Sequence, residues 1–407
     1  MTIRTEDRQT WSFDVTNAAM AYGNEISNSF SLFEGEIDAE KAKSWFVNLL
    51  PEGSSRVRLV NTLGISDNDF ALLNRIGYDC AGALQVVAEY PPPEPPLMPR
   101  LPITPAQLEV WSEEGSKLEL NTVVESEARM SLAGAQKKWA VIKEKGEYFM
   151  PASDEASTHI IKATDNHNII IYELFLMTVA QLVGLDVPEC RLETRGKGLF
   201  YCVDRYDRVI TDGGVSRIHQ EDFCQALGYR PANKYQKDRG PSLRNITVLV
   251  EERMVGIPLL TKQKIIDWQV FNVLTGNCDA HAKNLAIIRR DHGWDLAPFY
   301  DLVSIAALQV YKHELAFAVG ENYAPQEIRL KDWVALASDI DVNAGVILKS
   351  LNDMAGKLDS VIASDALKKL LIERGLVESK HPRLEQVVLL IRKQIKHVRQ
   401  TLADASP

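Results

Sequence analysis

Apolar and polar positions alternate along the chain in a changing rhythm, and the change divides it into parts. In the first ninety residues, helical spacing predicts helices over 39–50, stopped by Pro51, and over 67–76, stopped by Gly77. Further on the pattern turns to short runs. Residues 139–143 and 148–150 flank Glu144-Lys145-Gly146-Glu147 and predict a hairpin. His159-Ile160-Ile161-Lys162 reads as a short strand, 169–183 as a helix stopped by Gly184, and 199–203 as another strand. From about Glu221 helices dominate. They are interrupted by two strand-like runs, 285–289 and 294–296, around Asp291-His292-Gly293. The charged tail 360–402 is helical, with breaks near Gly375 and Pro382. A β-rich half followed by an α-rich half is an α+β, two-lobed layout. Between the halves, 229–243 is polar, carries Gly240-Pro241 and is expected to be a mobile surface loop.

The sharpest boundary is the proline run from Pro91 to Pro102, whose fixed φ and missing donors predict an extended spacer. The expected organisation is therefore an N-terminal unit over 1–90, a linker over 91–105, a β-rich part over 106–228 and a helical part over 229–407. At 407 residues, the chain is long enough for several packed subdomains. A hydrophobic share of 45% and a charged share of 25% are those of a soluble globular protein. The formal net charge of −9 argues against a chain that grips nucleic acid unaided. The five cysteines form no C-x-x-C pair, so neither a disulfide framework nor a zinc site is expected. From the polar start no signal peptide is expected. The apolar stretch 169–187 is interrupted by Glu173 and Gln181, so a buried helix is expected there rather than a membrane span. A cytoplasmic protein is the resulting expectation.

Candidate chemistry concentrates in Asp279-Ala280-His281-Ala282-Lys283-Asn284 and in Pro298-Phe299-Tyr300-Asp301. An Asp five residues before an Asn is the spacing of a phosphotransferase catalytic loop. The Asp can take a proton from an attacking hydroxyl, and the Asn oxygen can hold Mg²⁺. The intervening hairpin would return Asp301 beside Asn284, and two hard oxygen ligands completed by ATP phosphates suit Mg²⁺. Read alone, the spacing more often describes a loop with a capping Asp and a buried His. Lys162 ends a strand, and Glu173 lies eleven residues on in the next helix, an arrangement that can hold an ammonium at phosphates. Ser131-Leu132-Ala133-Gly134-Ala135-Gln136-Lys137-Lys138 has the small residues that let backbone N–H groups approach an anion, although a plain turn fits as well. Asp204-Arg205-Tyr206-Asp207-Arg208 leaves a buried strand. Its backbone can pair with adenine and Asp207 with ribose hydroxyls, or it is a salt-bridged strand end.

Together these segments resemble the HipA family of bacterial toxin serine/threonine kinases. The likeness also runs through Trp45-Phe46-Val47-Asn48-Leu49-Leu50-Pro51, Ile76-Gly77-Tyr78-Asp79-Cys80-Ala81-Gly82-Ala83 and Gln220-Glu221-Asp222-Phe223-Cys224-Gln225. It implies a two-lobed protein-kinase-like fold with an extra N-terminal subdomain and an all-helical C-terminal lobe. It implies Asp279 as catalytic base, Asn284 and Asp301 as Mg²⁺ ligands, and Lys162 on the phosphates, paired with Glu173. Ala133 to Lys138 would form the phosphate loop. Asp204, Arg205, Tyr206, Asp207, His281, Lys283 and Tyr300 would complete the ATP site. Ser131 would be an autophosphorylation serine whose modification switches the kinase off. The implied substrate is an aminoacyl-tRNA synthetase, glutamyl-tRNA synthetase in the best-known member, so that phosphorylation arrests growth and promotes persistence. The implied partner is a HipB-like helix-turn-helix antitoxin that carries the contact with operator DNA; no membrane is implied.

The sequence departs from that pattern in three places. The first strands of the extra subdomain look missing or reduced before Trp11. Asp204 and Tyr206 stand where a relative has Glu and Phe, and Cys278 and Ala280 where a relative has Thr and Gly. The rival readings are a small-molecule phosphotransferase and a non-catalytic corepressor that binds antitoxin and DNA.

Overall fold

A computed structural model of the chain describes residues 1–5, 10–14, 26–31, 37–87, 100–112, 130–131, 137–152, 155–212, 214–254, 256–308, 313–377 and 382–403. The N-terminal unit opens with β1 (Thr2–Thr5) and β2 (Trp11–Asp14), an antiparallel pair. One short strand therefore precedes Trp11; at four alternating residues it is too short to stand out by pattern. Helices α1 (Ala39–Val47), α2 (Gly53–Leu63) and α3 (Asp69–Ile76) follow. The Asp38 carboxylate caps α1 by accepting from the Lys41 N–H at 3.1 Å, and Asn68 caps α3 through the Ala71 N–H at 2.8 Å. Trp11, Trp45, Phe46, Leu72, Leu73 and Ile76 bury together as a core separate from the rest of the molecule.

The unit then reaches outward. β3 (Asp79–Cys80) pairs in parallel with β5 (Met130–Ser131). Six antiparallel strands make the main sheet, in the order β4-β7-β6-β8-β10-β9. These are β4 (Leu101–Ile103), β6 (Lys138–Glu144), β7 (Glu147–Met150), β8 (His159–Lys162), β9 (Cys190–Arg195) and β10 (Gly198–Asp204). Because β4 is an edge strand paired with β7, the proline-rich stretch is sheet rather than spacer at its end. Pro102 is tolerated there because an edge strand has one unpaired side. Helix α4 (Pro105–Ser112) packs on one face, where Trp111 stacks on Trp139 at 4.6 Å. Helix α5 (His167–Val183) covers the other and is buried nearly all round, ending at Gly184 with φ of 97°. It is a core helix, as its interrupted apolar run predicts. Among the described residues no helix is long and apolar enough to cross a membrane.

Past β10 a hairpin of β11 (Arg208–Thr211) and β12 (Gly214–Arg217) leads to β13 (Gln220–Asp222), which pairs with the hairpin β14 (Ala286–Arg290) and β15 (Gly293–Leu296). The second lobe is otherwise helical: α6 (Phe223–Leu227), α7 (Leu243–Arg253), α8 (Pro258–Thr275), α9 (Leu330–Asp339), α10 (Ala344–Ile362), α11 (Asp365–Glu373) and α12 (Glu385–Ala403). Its core is continuous with the inner face of α5. The result is a two-lobed, kinase-like architecture with an added N-terminal unit. All five cysteines are buried and free.

Candidate functional site

One cavity between the lobes collects the chemistry. Its walls carry Lys138, Lys162, Glu173, Asp204, Arg205, Tyr206, Asp207, Asp279, His281, Lys283, Asn284, Tyr300 and Asp301. Each predicted site residue in that set is thus brought to one place. Lys137 lies just outside it and accepts the Ala163 N–H through its carbonyl. Ala133, Gly134, Ala135 and Gln136 lie outside the described residues. Ser131 is placed by its backbone alone, level with Cys80 of the N-terminal unit.

Register explains the cationic end. Lys162 closes β8 with Lys138 of β6 on one side and Tyr201 of β10 on the other. Its ammonium donates to Glu173 of α5 at 2.6 Å and also to Asp301. Burial opposes a charge on Lys162, but Asp301 and Glu173 outweigh it and hold the ammonium well above the ordinary lysine range. Burial brings the neighbouring Lys138 down to about 8. Burial alone would raise the Asp301 carboxyl; Lys162 and Lys138 instead hold it down to about 2. Asp301 has φ of 58°, left-handed backbone that a non-glycine residue adopts at some cost. That backbone sits where the Lys162, Glu173 and Asp301 charges meet.

The opposite wall is the segment 279–284, braced by its own bonds. The Asp279 carbonyl accepts from the His281 N–H at 2.8 Å and from the Asn284 side-chain amide at 2.9 Å. The Asn284 amide nitrogen is thereby used, and its oxygen remains as the open acceptor. Tyr300 holds the segment from below, its hydroxyl donating to the Lys283 carbonyl at 2.7 Å. The Asp279 side chain is 46% exposed, within reach of a macromolecular substrate. Burial keeps His281 neutral, its pKa pushed down to about 4. Among the described residues no cluster of three or more His, Cys, Asp or Glu exists to hold a metal unaided. Asn284 and Asp301 both line the cavity, and their oxygens are of the hard type that Mg²⁺ takes when phosphate completes its shell.

Three features refine the sequence expectation. Of the two readings of Asp207, its ion pairs favour the salt-bridged strand end. Asp207 is 3% exposed and pairs with Arg205 at 2.8 Å and Arg208 at 2.9 Å, while accepting the Gly82 N–H at 2.7 Å. Asp79 joins the same network through Arg208 at 2.9 Å and Arg205 at 3.5 Å, so these residues latch the N-terminal unit onto the strand exit. Gly82 is required there: φ is 80°, and a Cβ would lie 3.0 Å from the Gln220 nitrogen. Secondly, the Asp204 and Arg205 amides already donate to Glu189 and Thr158 at 2.9 Å each, which narrows the adenine-facing backbone to Tyr206 and the carbonyls.

Thirdly, 229–243 is not a free loop. It folds into two 3₁₀ turns, and Tyr235 donates its hydroxyl to Asp279. Beside it, Lys234 pairs with Glu52 of the N-terminal unit at 2.9 Å, and Glu52 reaches Lys283 at 2.9 Å as well. Sequence reasoning missed Glu52, Lys234 and Tyr235; the one available signal was a Lys-Tyr pair in a long inter-lobe connection. Burial would raise the Glu52 carboxyl, yet Lys283 and Lys234 hold it down to about 2 from 4.5. A depressed carboxyl adds stability that is complete above the unfolded value and is lost as pH falls through the folded one. We therefore expect Glu52→Gln to cost about 2 kcal/mol near neutrality, discounted for partial exposure, with the deficit vanishing toward about pH 2. Urea melts of both proteins across that pH range check it.

Comparison with known proteins agrees with this geometry. The family model described as the HipA-like C-terminal domain matches residues 130–362, and the HipA N-terminal domain matches residues 2–87. A putative kinase of Sinorhizobium fredii, Y4mE, is 34% identical over 79% of this chain and 78% of its own length. The serine/threonine-protein kinase toxin HipA of Shewanella oneidensis is 29% identical over 88% of this chain and 82% of its own. The solved complex of Shewanella oneidensis HipA, HipB and operator DNA superposes with a TM-score of 0.83 and 25% identity, covering 99% of this chain and 95% of that one.

Proposed function

The chain belongs to the HipA family of protein kinases, and from that premise we propose that it is the toxin of a toxin–antitoxin pair, transferring the γ-phosphate of ATP to a serine of a target protein. The observation that carries this reading is the meeting of Lys162 and Asp301 with Asp279 and Asn284 around one cavity. Lys162, kept charged by its two carboxylates, binds the phosphates, with Lys138 beside it. Mg²⁺ held by the Asn284 oxygen and Asp301 would neutralise the charge that develops on the transferred group. Asp279 accepts the proton of the substrate hydroxyl, and Tyr235 orients the carboxylate. The Tyr206 amide and the neighbouring carbonyls face the base, with Tyr300 packed on the Tyr206 ring at 5.6 Å.

The target class we assign is an aminoacyl-tRNA synthetase, as the family resemblance implies, with growth arrest as the outcome. Ser131 is the proposed autophosphorylation site, since it precedes the loop that leads into Lys138. The partner is a HipB-like antitoxin bringing the pair to operator DNA, which suits a chain of net charge −9. A small-molecule phosphotransferase has no use for the matched N-terminal unit over 2–87, and a corepressor has none for a strained Asp301 held by Lys162. Expression without an antitoxin is expected to slow growth, and Asp301→Ala to relieve the slowing. Equal toxicity of that variant in growth curves would overturn the catalytic reading.

A further inference from the structure

Glu52 begins a helix but does not cap it: α2 has Glu52 at its N-cap position with no side-chain bond to its own first turn. A carboxylate there is ordinarily drawn to the helix's own N–H groups. This one instead crosses to the second lobe. One oxygen lies 2.9 Å from the Lys283 ammonium and the other 2.9 Å from that of Lys234. Lys283 is also bonded to the Asn48 carbonyl at 2.9 Å, so both ends of one short turn of the N-terminal unit grip it. We propose that Glu52 is a positioning residue of the kinase site, through which the N-terminal unit sets the geometry of the catalytic segment.

The two lysines explain how. Lys283 precedes Asn284 and follows Asp279 by four residues, so its anchor fixes the segment that carries both. The Lys234 carbonyl accepts the Ala282 N–H at 3.1 Å, and the next residue, Tyr235, donates to the Asp279 carboxylate. A single carboxylate thus ties the catalytic segment and the strap across it to one point. Without that charge, the two ammoniums, with side chains 4% and 19% exposed, lose the one carboxylate that bridges them, and their repulsion drives them apart, with Asp222 left near Lys283 alone. Their separation pulls Asn284 one way and Tyr235 the other. Docking of the N-terminal unit does not depend on Glu52, because the buried Asp79, Arg205 and Arg208 network secures it elsewhere. Any partner that shifts residues 48–52 would reach Asp279 by the same route, without touching the nucleotide.

The inference rests on the kinase reading, and its test separates the two. Label transfer from γ-labelled ATP–Mg²⁺ into the purified full chain is followed against ATP concentration. For Glu52→Gln the maximal rate is expected to fall about 10- to 100-fold, the scale of a catalytic group displaced by an ångström. Half-saturating ATP should change less than the maximal rate, because Lys162 and the adenine-facing backbone lie elsewhere and only Asn284 shifts. Glu52→Asp should recover most of the rate. Lys234→Met should slow the reaction as well, and the double variant should be little slower than either single one, as for residues acting as one unit. If Glu52→Gln does not fold, Lys234→Met cuts the same tie from its more exposed side and carries the same expectation. A folded Glu52→Gln within about three-fold of the wild-type rate overturns the Glu52 role alone. Absence of label in the wild-type chain overturns the kinase reading beneath it.

Discussion

Lys162→Met is expected to destabilise the protein by about 3–5 kcal/mol and to lower phosphoryl transfer by about 10²–10³-fold. The two losses have different origins. The ammonium lies between Glu173, whose side chain is 1% exposed, and Asp301. The second Glu173 oxygen, not the one that accepts from Lys162, has no hydrogen-bond partner among the described residues. Removing the cation leaves two carboxylates facing each other in a desolvated site, and the stability loss follows from that. Burial already raises the Glu173 carboxyl despite Lys162, and without Lys162 the rise must grow. A carboxyl whose folded pKa exceeds its unfolded value costs stability while ionised in the fold, so the variant should recover stability as pH falls below neutrality. Adding Glu173→Gln should restore much of the stability and none of the rate, since the phosphates still lack their cation. Denaturant melts and label-transfer rates on the single and double variants separate the two effects. Activity retained in Lys162→Met would remove Lys162 from the phosphate site.

The larger effect on rate is expected from Asp279→Asn, a fall of about 10²–10⁴-fold, the range for loss of a positioned general base. Stability should change little. The side chain is 46% exposed, and an Asn oxygen can still accept the Tyr235 hydroxyl. The segment itself is held by the Asp279 carbonyl, which the substitution leaves in place. ATP affinity should likewise hold, so the loss should appear in the maximal rate and not in half-saturation. A variant that melted early or bound ATP poorly would instead mark Asp279 as structural.

What the sequence could reveal about this site follows from range. Lys162 and Glu173 are eleven residues apart in adjoining elements, and the strand that carries one and the helix that carries the other both announce themselves by period. Asp279 and Asn284 share one turn, and the hairpin that returns Asp301 is marked by its own alternation. Glu52 and Lys234 are 182 residues apart, and no local pattern joins them. Tyr235 is 44 residues from Asp279 and lies in a polar stretch whose composition is that of a loose loop; its order comes from tertiary contacts alone. The two readings of Asp207 stay open in the sequence for the same reason. An Asp beside two arginines at a strand end suits ribose or a salt bridge equally, and only the arrival of Asp79 and Gly82 decides for the latter. Helix α2 buries only Leu59 and begins with Gly and Ser, so its pattern was too faint to read. The candidate reacting groups stand in local patterns, whereas the contacts of the N-terminal unit around them do not.

The central claim is that Asp279 serves a phosphoryl transfer from ATP to a serine of a protein. Incubation of the purified chain and of Asp279→Asn with γ-labelled ATP–Mg²⁺, followed by intact-mass and peptide analysis, tests it directly. The expected result is one phosphoryl group on the wild-type chain, at Ser131, and none on the variant over the same time. Equal labelling of the two, or no labelling of either in the presence of bound ATP, would contradict it.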